Sequence, residues 1–202
     1  MKPKENNMFL VKDVPVGRLN ALVKKLGGLE VMDGILNDTV KFTLVEAPVP
    51  SVLSPFQAFS TTITETRDPG NFFCDRSRLY VWGDYRYRIV SKAKSVETDV
   101  VITAKWANLE QDAADKEIGL ALGEGHIWEE STLCAFVAQH ISEQEGGRGG
   151  MLLNNGFANI FYTTSCVVVV GWGAGGRGWG VGAWGRGGGG WSAGGRVFSP
   201  AT

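Results

Sequence analysis

Residues Asn159 to Phe198 read NIFYTTSCVVVVGWGAGGRGWGVGAWGRGGGGWSAGGRVF and hold four of the seven tryptophans and no acidic residue. Two folds compete for this stretch. Glycine mixed with arginine suits a disordered RNA-binding segment, which buries too little apolar surface to offset chain entropy. Against that, Asn159 to Thr163 and Cys166 to Trp172 are β-branched and aromatic runs, the usual strand signal. Trp179 to Trp184 and Arg196 to Ser199 follow as shorter strands.

Tryptophan spacing favours the sheet. Trp172 and Trp179 bracket six residues, and Trp184 and Trp191 bracket another six. Each Gly-rich loop then becomes a hairpin turn closed by a cross-strand Trp pair, a contact that stabilises a sheet by roughly 0.2–1 kcal/mol. Disorder requires no such bracketing. Trp179 and Trp184 lie five apart, so on an unbulged strand they face opposite ways. The four tryptophans are therefore expected as two pairs on two faces, not as one stacking platform.

Working outward, Glu129 to Glu145 reads as a helix with a buried stripe of Leu133, Phe136, Val137 and Ile141, and Asp112 to Leu122 as another closed by Gly123. Val100 to Lys105 alternates as a strand, and Trp82, Tyr85, Ile89 and Ala93 have helical spacing. Near the amino terminus Leu19, Leu22, Val23 and Leu26 mark a helix stopped by Gly27-Gly28. A shorter helix from Leu29 to Leu36 and a strand from Val40 to Val45 follow. A helix-turn-helix should present basic or amide groups from its second helix. Glu30 and Asp33 stand there instead, so the hairpin is read as packing.

The fold class expected is α+β: an N-terminal helical hairpin plus strand, then helices packed with a C-terminal antiparallel β-meander. The boundaries predicted are a small unit over 1–46, a Pro/Ser/Thr-rich connector over 47–70, and a main domain over 71–202.

Charge is uneven. The net value is −1, yet Glu110 to Glu145 carries nine acids and one base (−8). Arg67 to Lys94 carries seven bases and three acids (+4), and residues 146–202 carry four arginines and no acid. Internal complementarity accounts for this without a partner. Cys74, Cys134 and Cys166 fit neither a disulfide framework nor a zinc pattern. No apolar run has transmembrane length, so a cytoplasmic protein with reduced thiols and no membrane contact is expected.

The segments LNALVKKLGG (19–28), LYVWGDYRYRIVSKAKSVE (79–97), GEGHIWEESTLCAFVA (123–138), LLNNGFANIFYTTSCVV (152–168) and GGRVFSPAT (194–202) resemble a family of uncharacterised small proteins predicted from reduced-genome, candidate-phylum bacteria. They span about a third of the chain. The resemblance implies no activity, ligand or partner, so it assigns no site residue. The chain departs from that pattern in its tail loops, which are nearly all Gly and Trp where Asp, Tyr and Arg are expected.

For catalysis, the best cluster is His126, Glu130 and Cys134, with Glu129 and Ser131, all near one helix start. Cys134 borders the apolar stripe and reads as a small core residue, and Glu129, Glu130 and Ser131 are ordinary first-turn residues. Metal ligation lacks a Cys or His pair at ligand spacing, and Asp112, Asp115 and Glu117 lack a calcium-loop glycine. Glycine runs in the tail lead into no helix, which removes the dinucleotide fingerprint. No cofactor is expected. The reading preferred is a non-catalytic interaction module with an unidentified protein partner. Its surface would draw on Trp172, Arg177, Trp179, Trp184, Arg186, Trp191 and Arg196. The alternatives are RNA or single-stranded nucleic-acid binding through the Arg/Gly/Trp tail and the basic helix 86–94, and a small enzyme using His126, Glu130 and Cys134.

Overall fold

Three β-strands joined by tight turns make the backbone of the architecture: β6 (Asn159–Thr163), β7 (Cys166–Gly173) and β8 (Gly178–Gly185). A computed structural model describes residues 16–25, 27–30, 33, 51–74 and 78–201. The chain divides into two compact units, Met1–Val49 and Pro50–Thr202.

In the first unit, α1 spans Val16–Lys25. Gly27 and Gly28 adopt φ of 103° and 96°, and Gly28 N–H returns to the Val23 carbonyl at 2.9 Å. A left-handed glycine pair is the expected stop, since a Cβ would be strained there. The strand expected over 40–45 and most of the helix expected over 29–36 lie outside the described residues.

The second unit is built on one mixed sheet of eight strands, with the order β1-β3-β10-β6-β7-β8-β2 and β5 beside β6. The remaining members are β1 (Gln57–Thr62), β2 (Leu79–Val81), β3 (Val101–Asn108), β5 (Ile127–Trp128) and β10 (Arg196–Pro200). A two-stranded ribbon joins β4 (Ala113–Ala114) to β9 (Gly190–Trp191). The helices of this unit are α2 (Pro69–Phe72), α3 (Gly83–Tyr85, running into a π-turn at Arg86–Val90), α4 (Asp115–Leu122) and α5 (Glu130–Glu143).

Strand alternation divides the core in two. Phe161, Cys166, Val168, Val170, Trp179, Val181 and Phe198 face the cluster around α5. Ile160, Tyr162, Val167 and Val197 face the cluster containing Ile118 and Leu122 of α4. Period-two alternation sends neighbours on one strand to opposite layers. Helix α5 is buried over Leu133 to Ile141 without a break, more than the four-residue stripe predicts. Ile63, Phe73, Tyr85 and Ile89 join its cluster, so the helix is covered on more than its sheet side. Glu129 caps it by accepting from Thr132 N–H at 2.8 Å.

Three expectations need correction. The meander holds for β6, β7 and β8, but β10 leaves it. It crosses back to lie between β3 and β6, antiparallel to the first and parallel to the second. A strand with apolar residues on both faces belongs at the sheet centre, and Val197 and Phe198 are both buried. Next, the stretch 47–70 predicted as a connector supplies β1 and the first residues of α2 to the unit that begins at Pro50. Its Ser/Thr-rich strand is mostly exposed and pairs with β3 at the sheet edge, where polar side chains cost nothing. Finally, Trp82 is no helix-stripe residue. It has extended backbone just before α3 and is exposed, while Tyr85 and Ile89 are buried.

Candidate ligand-binding groove

Trp172 pairs with Trp179 across β7 and β8, with ring centroids 5.3 Å apart at 66°. Trp179 is 2% exposed and Trp184, five residues on, is 47% exposed. The two lie on opposite faces of β8, as alternation requires. The second bracket does not form. Trp184 pairs with Val167, and Trp191 pairs with Ala113 in the ribbon. A buried carboxylate decides this: Asp115 accepts from the Trp191 indole N–H at 2.7 Å, from Tyr162 Oη at 3.0 Å and from Gly187 N–H at 2.8 Å. Three donors around one carboxylate hold the glycine loop to α4 and draw Trp191 away from Trp184.

On its outer face β8 carries glycine at 178, 180 and 182 and then Trp184. Trp82 lies over this track. A Cβ at Gly180 would come within 2.9 Å of the Trp82 ring, and one at Gly182 within 2.9 Å of Trp184 and 3.1 Å of Trp82. Any side chain there would lift the indoles off the sheet, so the glycines allow a close approach of ring to backbone. Tyr80, on edge strand β2, stands edge-on to Trp82 at 4.7 Å and 88°. Trp184 flanks Trp82 on another side at 6.2 Å and 50°. Tyr80 is 59% exposed and Trp82 42%.

Beside these rings opens a groove of about 850 Å³, lined by Arg78, Tyr80, Trp82 and glycines of β7 and β8, with Leu79, Trp172 and Trp179. Among the described residues its lining has one charged side chain, Arg78, and no carboxylate or carboxamide. Arg78 (φ 69°) and Arg177 (φ 46°) both adopt the left-handed region, which is uncommon outside glycine. The Arg78 carbonyl accepts from Trp179 N–H at 2.8 Å, fixing the start of β2 against β8. Arg177 is exposed in the β7–β8 turn, between Gly176 and Gly178 of the lining.

The seven residues expected to make a binding surface are not brought together. Trp172, Trp179, Trp184 and Arg177 border the groove or its strands. Arg186 lies over the Tyr162 ring at 5.7 Å and donates to the Thr163 carbonyl. Arg196 stacks on Trp106 at 3.8 Å, donates to Asn108 Oδ1 and the Met151 carbonyl, and has its pKa lowered by burial. With Trp191 on Asp115, these three each make contacts within the fold and away from the groove. Tyr80, Trp82 and Arg78 were missed. The available signal was Leu79-Tyr80-Val81, an alternation that turns Tyr80 outward, together with the Gly-x-Gly track opposite.

Of the residues proposed for catalysis, Glu130 and Cys134 lie one turn apart on α5, whereas His126 packs with the other core cluster. Cys134 is buried in the α5 cluster, its thiol 3.4 Å from Tyr85 Oη. Burial pushes that thiol up to about 12, against a smaller opposing effect of the Tyr85 hydrogen bond. Tyr85 is likewise raised, chiefly by burial. His126 packs edge-on against Tyr162 of the α4 cluster, with Nδ1 2.5 Å from the Gly123 carbonyl. Glu130 opens α5. Among the described residues, no group of three or more His, Cys, Asp or Glu could hold a metal ion, and no helix is long and apolar enough to cross a membrane. Comparison with protein-family models, curated proteins and solved structures finds no match.

Proposed function

We propose that the protein is a non-catalytic binding module whose ligand seats in the groove beside β2. One observation carries this reading: Tyr80, Trp82 and Trp184 are exposed, yet held in ring contact on a glycine floor. Exposed aromatic surface is costly to leave in water, and clusters of it mark interaction sites. The high thiol pKa of Cys134 supports the same reading, since the thiolate is the nucleophilic form.

Panels of immobilised glycans, oligonucleotides and peptides, probed with the full chain, test this. Binding of at least one class is expected, weakened at least about tenfold in Trp82→Ala while the melting temperature moves by only a few degrees. Binding that is indifferent to both Trp82→Ala and Tyr80→Ala would place the ligand elsewhere and remove the groove from consideration.

A further inference from the structure

Resting on that groove, we propose that its ligand is single-stranded nucleic acid, with bases stacked on Trp82 and its neighbours and phosphates set against Arg78 and Arg177. The geometry of the rings comes first. Trp82 sets its Cε3, Cζ3 and Cη2 atoms against the Gly180–Gly182 track and leaves 42% of its surface exposed. Tyr80 stands at 88° beside it as a wall. Two exposed rings at right angles offer aromatic faces on which a flat, rigid group stacks. With Trp184 tilted on a further side, the series offers places for more than one such group. Every base has a π-face, so stacking of this kind tolerates sequence.

Charge narrows the ligand further. Among the described residues of the lining the one charged side chain is a guanidinium, and Arg177 adds a second at the turn. The surrounding stretch Arg67 to Lys94 has a net charge of +4, with Asp84 the acid nearest Trp82 in sequence. A polymer with one negative charge per ring unit matches this; a neutral polymer does not. Sugar hydroxyls would find no carboxylate or carboxamide among the described residues of the lining. The side chains of a protein partner would meet a floor of glycine backbone, which offers few holes for apolar knobs. Little is present to read base edges, so weak discrimination among sequences is expected.

Fluorescence anisotropy of labelled oligothymidylate and oligouridylate, each about twelve nucleotides long, tests the proposal on the full chain. Saturable binding of either strand is expected, and a preference between them tells DNA from RNA. Two phosphate contacts give a log–log salt slope of about −1.4, or roughly sevenfold weaker binding between about 50 and 200 mM salt. Arg78→Asn, which tolerates the left-handed backbone, should reduce that slope by about 0.7. Trp82→Ala and Tyr80→Ala should each weaken binding by about tenfold or more. Both residues are partly exposed, and a melting curve on each variant shows that it is folded. Absence of saturable binding to either strand overturns the ligand class. If a glycan or peptide then binds and is lost in Trp82→Ala, the groove stands and only its occupant was wrong. If the oligonucleotides bind equally well to both aromatic variants, the groove itself is overturned as the site.

Discussion

His140 shows how a single side chain ties packing to pH. It is buried on α5 with its ring 4.5 Å from Phe136 and 6.2 Å from Phe59, and its Nδ1 is 3.0 Å from Glu143 Oε2. With Nδ1 as the donor, Nε2 is left buried without a partner, in surroundings that cannot solvate a cation. Burial lowers its pKa, and Glu143 opposes this only in part. The unfolded chain, with an ordinary histidine near 6.5, therefore takes up the proton first as pH falls. His140 thus contributes stability that is full above about pH 6.5 and declines as pH falls toward its folded-state value. Glu129 also sits below its usual value: partial burial would raise it, but hydrogen bonds from Thr132 and Ser131 together outweigh that. Its contribution is lost at lower pH, below the ordinary glutamate range, so the two are separable. Melting temperature should fall between about pH 7 and pH 5, and His140→Phe should flatten part of that fall. Parallel curves for the two proteins would mean that the buried neutral imidazole does not set the slope.

At the level of elements, the part of the tail legible in sequence was the part made by neighbours in the chain. The β6–β7 and β7–β8 hairpins need only short turns, and Trp172 and Trp179 meet as their bracketing implies. What could not be read was set by distant groups. Asp115, 76 residues before Trp191, captures its indole, and β10 finds its place through β3 some 90 residues earlier. The aromatic groove was hidden for a related reason: Trp82 fits a helical spacing, and only the glycine track across on β8 reveals that it packs against the sheet. The Trp pair makes a direct test of the hairpin. Trp179→Ala removes a buried indole and should cost about 3–5 kcal/mol, whereas exposed Trp184→Ala should cost about 1 kcal/mol or less. Trp172→Ala and Trp179→Ala together should fall short of the sum of the singles by about 0.5–3 kcal/mol, because the rings touch. Trp179→Ala with Trp184→Ala should add to within about 0.5 kcal/mol, since the sheet lies between those side chains. Denaturant titration of the singles and doubles measures all of this, and strict additivity within the Trp172–Trp179 pair would dismantle the hairpin as drawn.

Seen whole, the main unit is held together by its final strand. Among the described residues, strand β10 is what links β1–β3 on one side to β6–β7–β8–β2 on the other. Phe198 stacks on Phe161 at 4.8 Å and 8°, and its carbonyl accepts from the Trp128 indole N–H at 3.1 Å. Val197 supplies the opposite core. The sheet is therefore completed through pairings of high sequence separation, and folding in milliseconds to seconds is expected rather than microseconds. Ending the chain after Gly195 would leave the facing edges of β3 and β6 unpaired and both cores open. We expect that protein to lose its cooperative thermal transition and its near-ultraviolet circular dichroism. The single change Phe198→Ala should cost about 3–5 kcal/mol by leaving a cavity between Phe161 and Phe136. A chain beginning at Pro50 keeps every strand of the sheet and should keep the transition, since that boundary is where the compact unit starts. The contrast between the two truncations is what matters. Should the carboxy-terminal truncation melt within a few degrees of the full chain, the sheet would have to close without β10, and the central place assigned to that strand would be wrong.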